Sequence, residues 1–159
     1  MDKNLLIQYC DLFAHGDSFR PLTHKFNKTS YKYLTGWSKT GASLMVWDYW
    51  NLVAGGAHRP DTVIDTIQPD FKLFQKSGVS CLFIECGCQI FCPQTFSDLQ
   101  YFIGAQLMIN PDENVEKLIK IFNDNYYGPA SPVITDYLNE IRKGVKEHPN
   151  LQISIRIER

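Results

Sequence analysis

The sequence predicts an α/β fold with parallel strands that carry polar functional groups at their carboxyl ends. Three observations predict it. Short apolar runs, Leu5–Cys10, Ser43–Trp50 and Val79–Glu85, are interleaved with stretches whose apolar residues recur at helical spacing. The segments leaving those runs are long and rich in Gly, Pro, His and Asn, whereas the segments entering the second and third runs, Thr40 to Ser43 and Ser77 to Val79, are very short. The second and third runs also end on carboxylates, Asp48 and Glu85. Long loops and charged groups at strand carboxyl ends mark the ligand side of α/β barrels and of doubly wound sheets alike, so this asymmetry leaves both open.

The elements follow in order. Leu5–Cys10 reads as the first strand, and Ala14 to Phe26 as irregular. Asn27 or Thr29 is placed to cap a helix that carries Tyr31, Leu34 and Trp37 and stops near Gly41. The second strand follows at once. Asn51 to Ile67 holds Gly55-Gly56 and Pro60, too many breakers for a regular element, so the next helix is expected near Pro69, a favoured first-turn residue, running to Gly78 with Phe71 and Phe74 buried. Beyond the third strand a helix spans about Ser97 to Asn110 before Pro111. Asp112 or Asn114 starts another with the stripe Val115, Leu118, Ile119 and Phe122, and Gly128 fits its C′ position. The last helix runs from Pro129 or Ser131 to Glu147. Leu151–Ile157 alternates with period two and reads as a strand with one polar face.

Composition narrows the function classes. A chain of 159 residues supports one domain burying about 70% of its unfolded surface, but an ordinary (β/α)8 barrel takes about 250 residues. With 16 Lys+Arg against 17 Asp+Glu the net charge is −1, and no basic cluster supplies the phosphate-neutralising footprint of a nucleic-acid binder. No apolar window is long enough for a membrane span, and no secretory leader opens the sequence. Five cysteines, Cys10, Cys81, Cys86, Cys88 and Cys92, cannot all pair within the chain. Cys86, Cys88 and Cys92 lack a second ligand pair at zinc spacing, so no metal is expected, nor any cofactor, since phosphate-cradling and nucleophile-elbow motifs are absent.

The chemistry then rests on Trp47-Asp48-Tyr49-Trp50 and on Glu85. Two carboxyl groups flanking a sugar, one as acid and one as base or nucleophile, are the machinery of glycoside hydrolysis, and aromatic rings supply a stacking platform. Asp48 and Glu85 are therefore the candidate catalytic residues. Trp47, Tyr49, Trp50, His24, His58 and Arg59 are candidate substrate contacts, with His15 a weaker one. A purely structural account competes: Trp47 in the core, Asp48 capping a turn, Tyr49 and Trp50 covering the sheet end, and Glu85 paired with Arg20 or Arg59.

Several segments, read in order, resemble a bacterial family of unknown function related to α-glucuronidases. They are Gly36-Trp37-Ser38, Val46–Trp50, Gly78-Val79 through Glu85, Leu99–Leu107 running into Asn110-Pro111-Asp112, and Tyr126-Tyr127-Gly128-Pro129-Ala130, within about residues 5 to 145. The resemblance implies the C-terminal portion of a (β/α)8 TIM-like barrel, about three βα units plus terminal helices. Residues 1–148 would form this partial domain, and 149–159 a terminal strand or the start of a next segment. It also implies an inverting glycoside-hydrolase-like activity in a complete parent protein, periplasmic or extracellular in setting, acting on a polysaccharide or oligosaccharide. Asp48 and Glu85 resemble the late acidic pair of the α-glucuronidases, while the earlier general acid has no counterpart. The chain alone is accordingly expected to be inactive, and to carry a self-association hazard at unpaired strand edges. The alternatives are a non-catalytic carbohydrate-binding or assembly module, and a structural α/β domain.

Overall fold

A computed structural model describes residues 5–10, 20–50, 63–86 and 96–150. Strands β1 (Leu6–Cys10), β2 (Ser43–Trp50) and β3 (Val79–Cys86) form a parallel sheet in the order β1-β2-β3. Five α-helices accompany it among the described residues: α1 (Lys28–Ser38), α2 (Ile64–Lys76), α3 (Ser97–Ile109), α4 (Val115–Tyr126) and α5 (Ser131–Glu147). The α/β class, the parallel pairing and the strand spans agree with the sequence reading. The terminal segment read as a strand, Leu151–Ile157, lies outside the described residues.

One face of the sheet builds the core. Tyr9, Leu44, Val46 and Trp50 are buried there, with Val79, Leu82 and Ile84 of β3 packed partly against them. Helix α2 answers with Ile64, Ile67, Phe71 and Phe74, a spacing of three, four and three that keeps all four on one stripe. Helix α3 contributes Leu99, Ile103 and Leu107 by the same spacing.

That stripe explains a departure from the sequence reading. Pro69 does not start α2; it lies inside it, and the helix begins at Ile64. An interior proline costs about 3 kcal/mol, whereas burying a side chain such as Ile or Phe is worth roughly 1.5–3 kcal/mol. Ile64 and Ile67 are both buried by the extra turn, and their burial offsets the proline. Helix ends are set locally. Gly78 adopts φ +74 directly after the C-cap Ser77, the C′ geometry that a side chain would strain, and its amide donates to the Gln75 carbonyl at 3.1 Å. Asn114 caps α4 by accepting from the Lys117 amide at 2.9 Å.

The other face of the sheet is open among the described residues. Leu6, Gln8 and Cys10 of β1 are exposed there, as are Cys81 and Phe83 of β3, while Met45, Trp47 and Tyr49 of β2 are half-buried. A β-bulge assigns β3 to its faces: Leu44 pairs with Val79 but Met45 pairs with Cys81, leaving Ser80 as the extra residue. Val79, Leu82 and Ile84 can therefore all turn toward the core. Cys81, Phe83 and Glu85 take the open side.

Candidate functional site: two indole-held carboxylates at the strand ends

The parallel register brings Asp48 and Glu85 to the same edge of the sheet. Asp48 pairs with Ile84 and Tyr49 with Glu85, so their backbones are neighbours. Strand alternation then separates the side chains. Asp48 shares a face with Val46 and Trp50, toward the helices, whereas Glu85 shares the open face with Trp47, Tyr49 and Phe83.

Each carboxylate is held by an indole of β2. Trp47 Nε1 donates to Glu85 Oε2 at 2.9 Å across the strand pair, and Trp50 Nε1 donates to Asp48 Oδ2 at 2.9 Å within the strand. The Trp47 ring meets Phe83 edge-on at 4.7 Å between centroids and stacks with Tyr49 at 6.2 Å. These contacts restrain an aromatic group that is half-buried and faces the open side.

Asp48 has a second donor, the Tyr49 amide, 2.8 Å from Oδ1. Burial nevertheless dominates and pushes its carboxyl above the ordinary range, the bonds from Trp50 and Tyr49 opposing it only in part. Such a group keeps its proton to higher pH than a solvated aspartate and is suited to donate one.

The remaining expected contacts divide. Trp50 belongs to the core rather than to a ligand surface: it is 4% exposed, stacks on Phe71 at 6.0 Å and presses on Gly104. Its part is to hold Asp48. His24 caps the 3-10 turn Lys25–Asn27, its Nδ1 accepting from the Phe26 amide at 3.3 Å, and its ring lies edge-on to Phe26. Glu85 does not pair with Arg20, whose guanidinium donates to the carbonyls of Val145 and His148 and so closes the last turn of α5. His15, His58, Arg59, Cys88 and Cys92 lie outside the described residues. Among the described ones no three His, Cys, Asp or Glu side chains gather as a metal site, and Cys10 and Cys81 are free and exposed. No helix among them is long and apolar enough to cross a membrane.

One polar centre is invisible to sequence reasoning. Arg142 of α5 is buried and donates to Asp65 of α2, with Nη2 at 2.7 Å from Oδ1, and to both carboxylate oxygens of Glu116 of α4. It lines a cleft of about 430 Å³ with Asp65, Gln68, Lys72 and Glu116. Its donors are taken up by those two acids, so it ties three helices together. No local motif announces it, because its partners stand 77 and 26 residues away.

No curated protein and no solved structure matches the chain. Over residues 1–139 it matches, and therefore belongs to, the family described as the domain of unknown function DUF4838.

Proposed function

We propose that this chain is the later part of a (β/α)8-type, carbohydrate-processing domain related to the α-glucuronidase-type glycoside hydrolases. The carrying observation is the Glu85 carboxylate at the carboxyl end of β3, on the open face, held by the Trp47 indole and bordered by Phe83 and Tyr49. A parallel sheet with helices on one face and functional groups at its carboxyl edge has the form of a barrel segment, in which the open face would turn inward. In this reading Trp47 and Tyr49 stack on the sugar, Glu85 is the proton-transfer group, and Asp48 supports the same rim from the helix side. His58 and Arg59, which follow β2 in the sequence, are proposed ligand contacts.

A non-catalytic glycan-binding module is the second reading. The observation favouring it is that Glu85 is the lone carboxylate on the open face among the described residues. A hydrolase needs two such groups near the bond.

The test pairs binding with turnover. Calorimetric titration of this chain with uronic-acid-bearing oligosaccharides should show binding that weakens about tenfold or more in Trp47→Ala and Glu85→Gln, the 1.4 kcal/mol expected of a stacking or charged contact. Unchanged affinity in both variants removes the open face as the site. Hydrolysis of the same oligosaccharides by a protein carrying the complete barrel, abolished by Glu85→Gln, separates enzyme from binding module.

A further inference from the structure

A second aromatic constellation stands outside this site, around the first turn of α3. Tyr126 at the end of α4 is 59% exposed, yet its ring is fixed: it stacks on Phe122 at 4.8 Å with planes 17° apart and meets Tyr127 edge-on at 4.9 Å. Its hydroxyl donates to Asp98 Oδ2 at 2.8 Å. Tyr137 of α5 is 48% exposed and is backed by the buried Phe96 at 5.9 Å. Asp98 and Phe96 are two residues apart at the start of α3, so the two tyrosines flank one helical turn.

Phe96 supplies an independent sign that this arrangement is maintained at a cost. It is the one non-glycine residue with positive φ among the described residues, at +63°. The left-handed conformation costs a bulky residue about 1–2 kcal/mol and persists only when the surroundings require it. The Phe96 ring so placed belongs to the core and lies 5.9 Å from the Tyr137 ring, tilted by 36°.

We propose that Tyr126, Tyr137 and Asp98 form an outer subsite for a neutral glycan chain, with the tyrosine rings stacking on sugar C–H faces and Asp98 Oδ1 accepting a sugar hydroxyl. Rings already immobilised by Phe122 and Phe96 lose little conformational freedom on binding, the property that makes tyrosine an effective contact residue. The ligand is neutral because the charged group bonded to the Tyr126 ring's hydroxyl is the Asp98 carboxylate. A uronate carboxylate would meet the Asp98 carboxylate there.

The subsite stands within two turns of α3 of the ring that ends β2. The Trp50 ring at the end of β2 presses on Gly104 in the middle of α3, which leaves the first turn of α3 about 9 Å further along the helix axis. The proposal takes its ligand class from the carbohydrate reading but requires no catalysis. A chain gripped at the open face would extend over this rim.

The experiment titrates the chain with neutral oligosaccharides of increasing length and with uronic-acid oligosaccharides, and repeats the series in Tyr126→Ala, Tyr137→Ala, Asp98→Asn and Glu85→Gln. Tyr126→Phe preserves the ring and Asp98→Asn the packing, so a lost fold is recognised by circular dichroism and by disagreement with these milder variants. Expected is a fall of about tenfold or more in neutral-glycan affinity for each Ala variant and a smaller fall for Asp98→Asn. Loss of binding in Glu85→Gln with no change in the tyrosine variants overturns the outer subsite and leaves the open-face reading standing. Failure of every neutral glycan to bind overturns it outright, as does concentration-dependent self-association that disappears in Tyr126→Ala without any sugar effect.

Discussion

A side-chain carbon on Gly104 would stand 2.6 Å from Cη2 of Trp50. Helix α3 and the end of β2 therefore meet at a contact only glycine permits, and the indole fixed by that contact is the one that donates to Asp48. The family-matched region uses its core to aim a carboxyl group.

Substituting Gly104→Ala should consequently do more than crowd the core. Overpacking of this kind typically costs about 1–3 kcal/mol, and a displaced Trp50 would also release Asp48. Urea denaturation should show a lowered midpoint with unchanged slope, and near-ultraviolet circular dichroism should show an altered tryptophan signal. A variant as stable as the parent, with the same spectrum, would mean that the ring has room to move.

Asp48 makes a prediction about acid. Its folded carboxyl is held above its ordinary value mainly by burial, so between the unfolded and folded values the native state binds more protons than the unfolded one. Stability from this group therefore falls as pH rises through that window, which opens near the ordinary aspartate value of 3.8, and the penalty is constant above it. Asp48→Asn removes the dependence. The stability difference between the two proteins, followed by denaturation across mildly acidic to neutral pH, should shift in favour of the wild type as pH is lowered.

The opposite sign applies to Glu116. Hydrogen bonding to Arg142 holds its carboxyl below the ordinary range, so its contribution is present above the ordinary glutamate value of 4.5 and is lost as pH falls through the folded value. Arg142→Gln should remove that acid-side loss and destabilise the protein at neutral pH by about 1–3 kcal/mol. The figure is below the cost of breaking a fully buried pair, because Asp65 and Glu116 remain partly in water. Equal pH profiles for the two proteins would show that α5 is held by its apolar contacts alone.

The open face can be probed with its own thiols. Cys10 sits opposite Trp47 and Cys81 opposite Met45, and both are exposed. A thiol-specific chromogenic reagent should modify both in the native protein without denaturant, and a ligand stacked on Trp47 should slow Cys10. Protection that grows with protein concentration would instead reveal association through this face or the strand edges.

What the sequence determined by itself was mostly local and periodic. The three strands, the caps at Asn114 and Gly78, and the stripe of α4 follow from side-chain spacing and backbone preference within a few residues, which is why they were legible. Glu85 and Trp47 could be nominated because strand ends and residue types are also local properties. Tertiary structure decided the rest. It lengthened α2 through Pro69 because burial of Ile64 and Ile67 outweighs a missing hydrogen bond. The register and bulge sent Asp48 and Glu85 to opposite faces of the sheet, which no spacing within either strand could announce. Trp50 became core and His24 a cap, and Arg142 joined acids from two other helices. In each case the deciding energy lies in contacts between residues far apart in the chain, and local preference cannot rank those contacts.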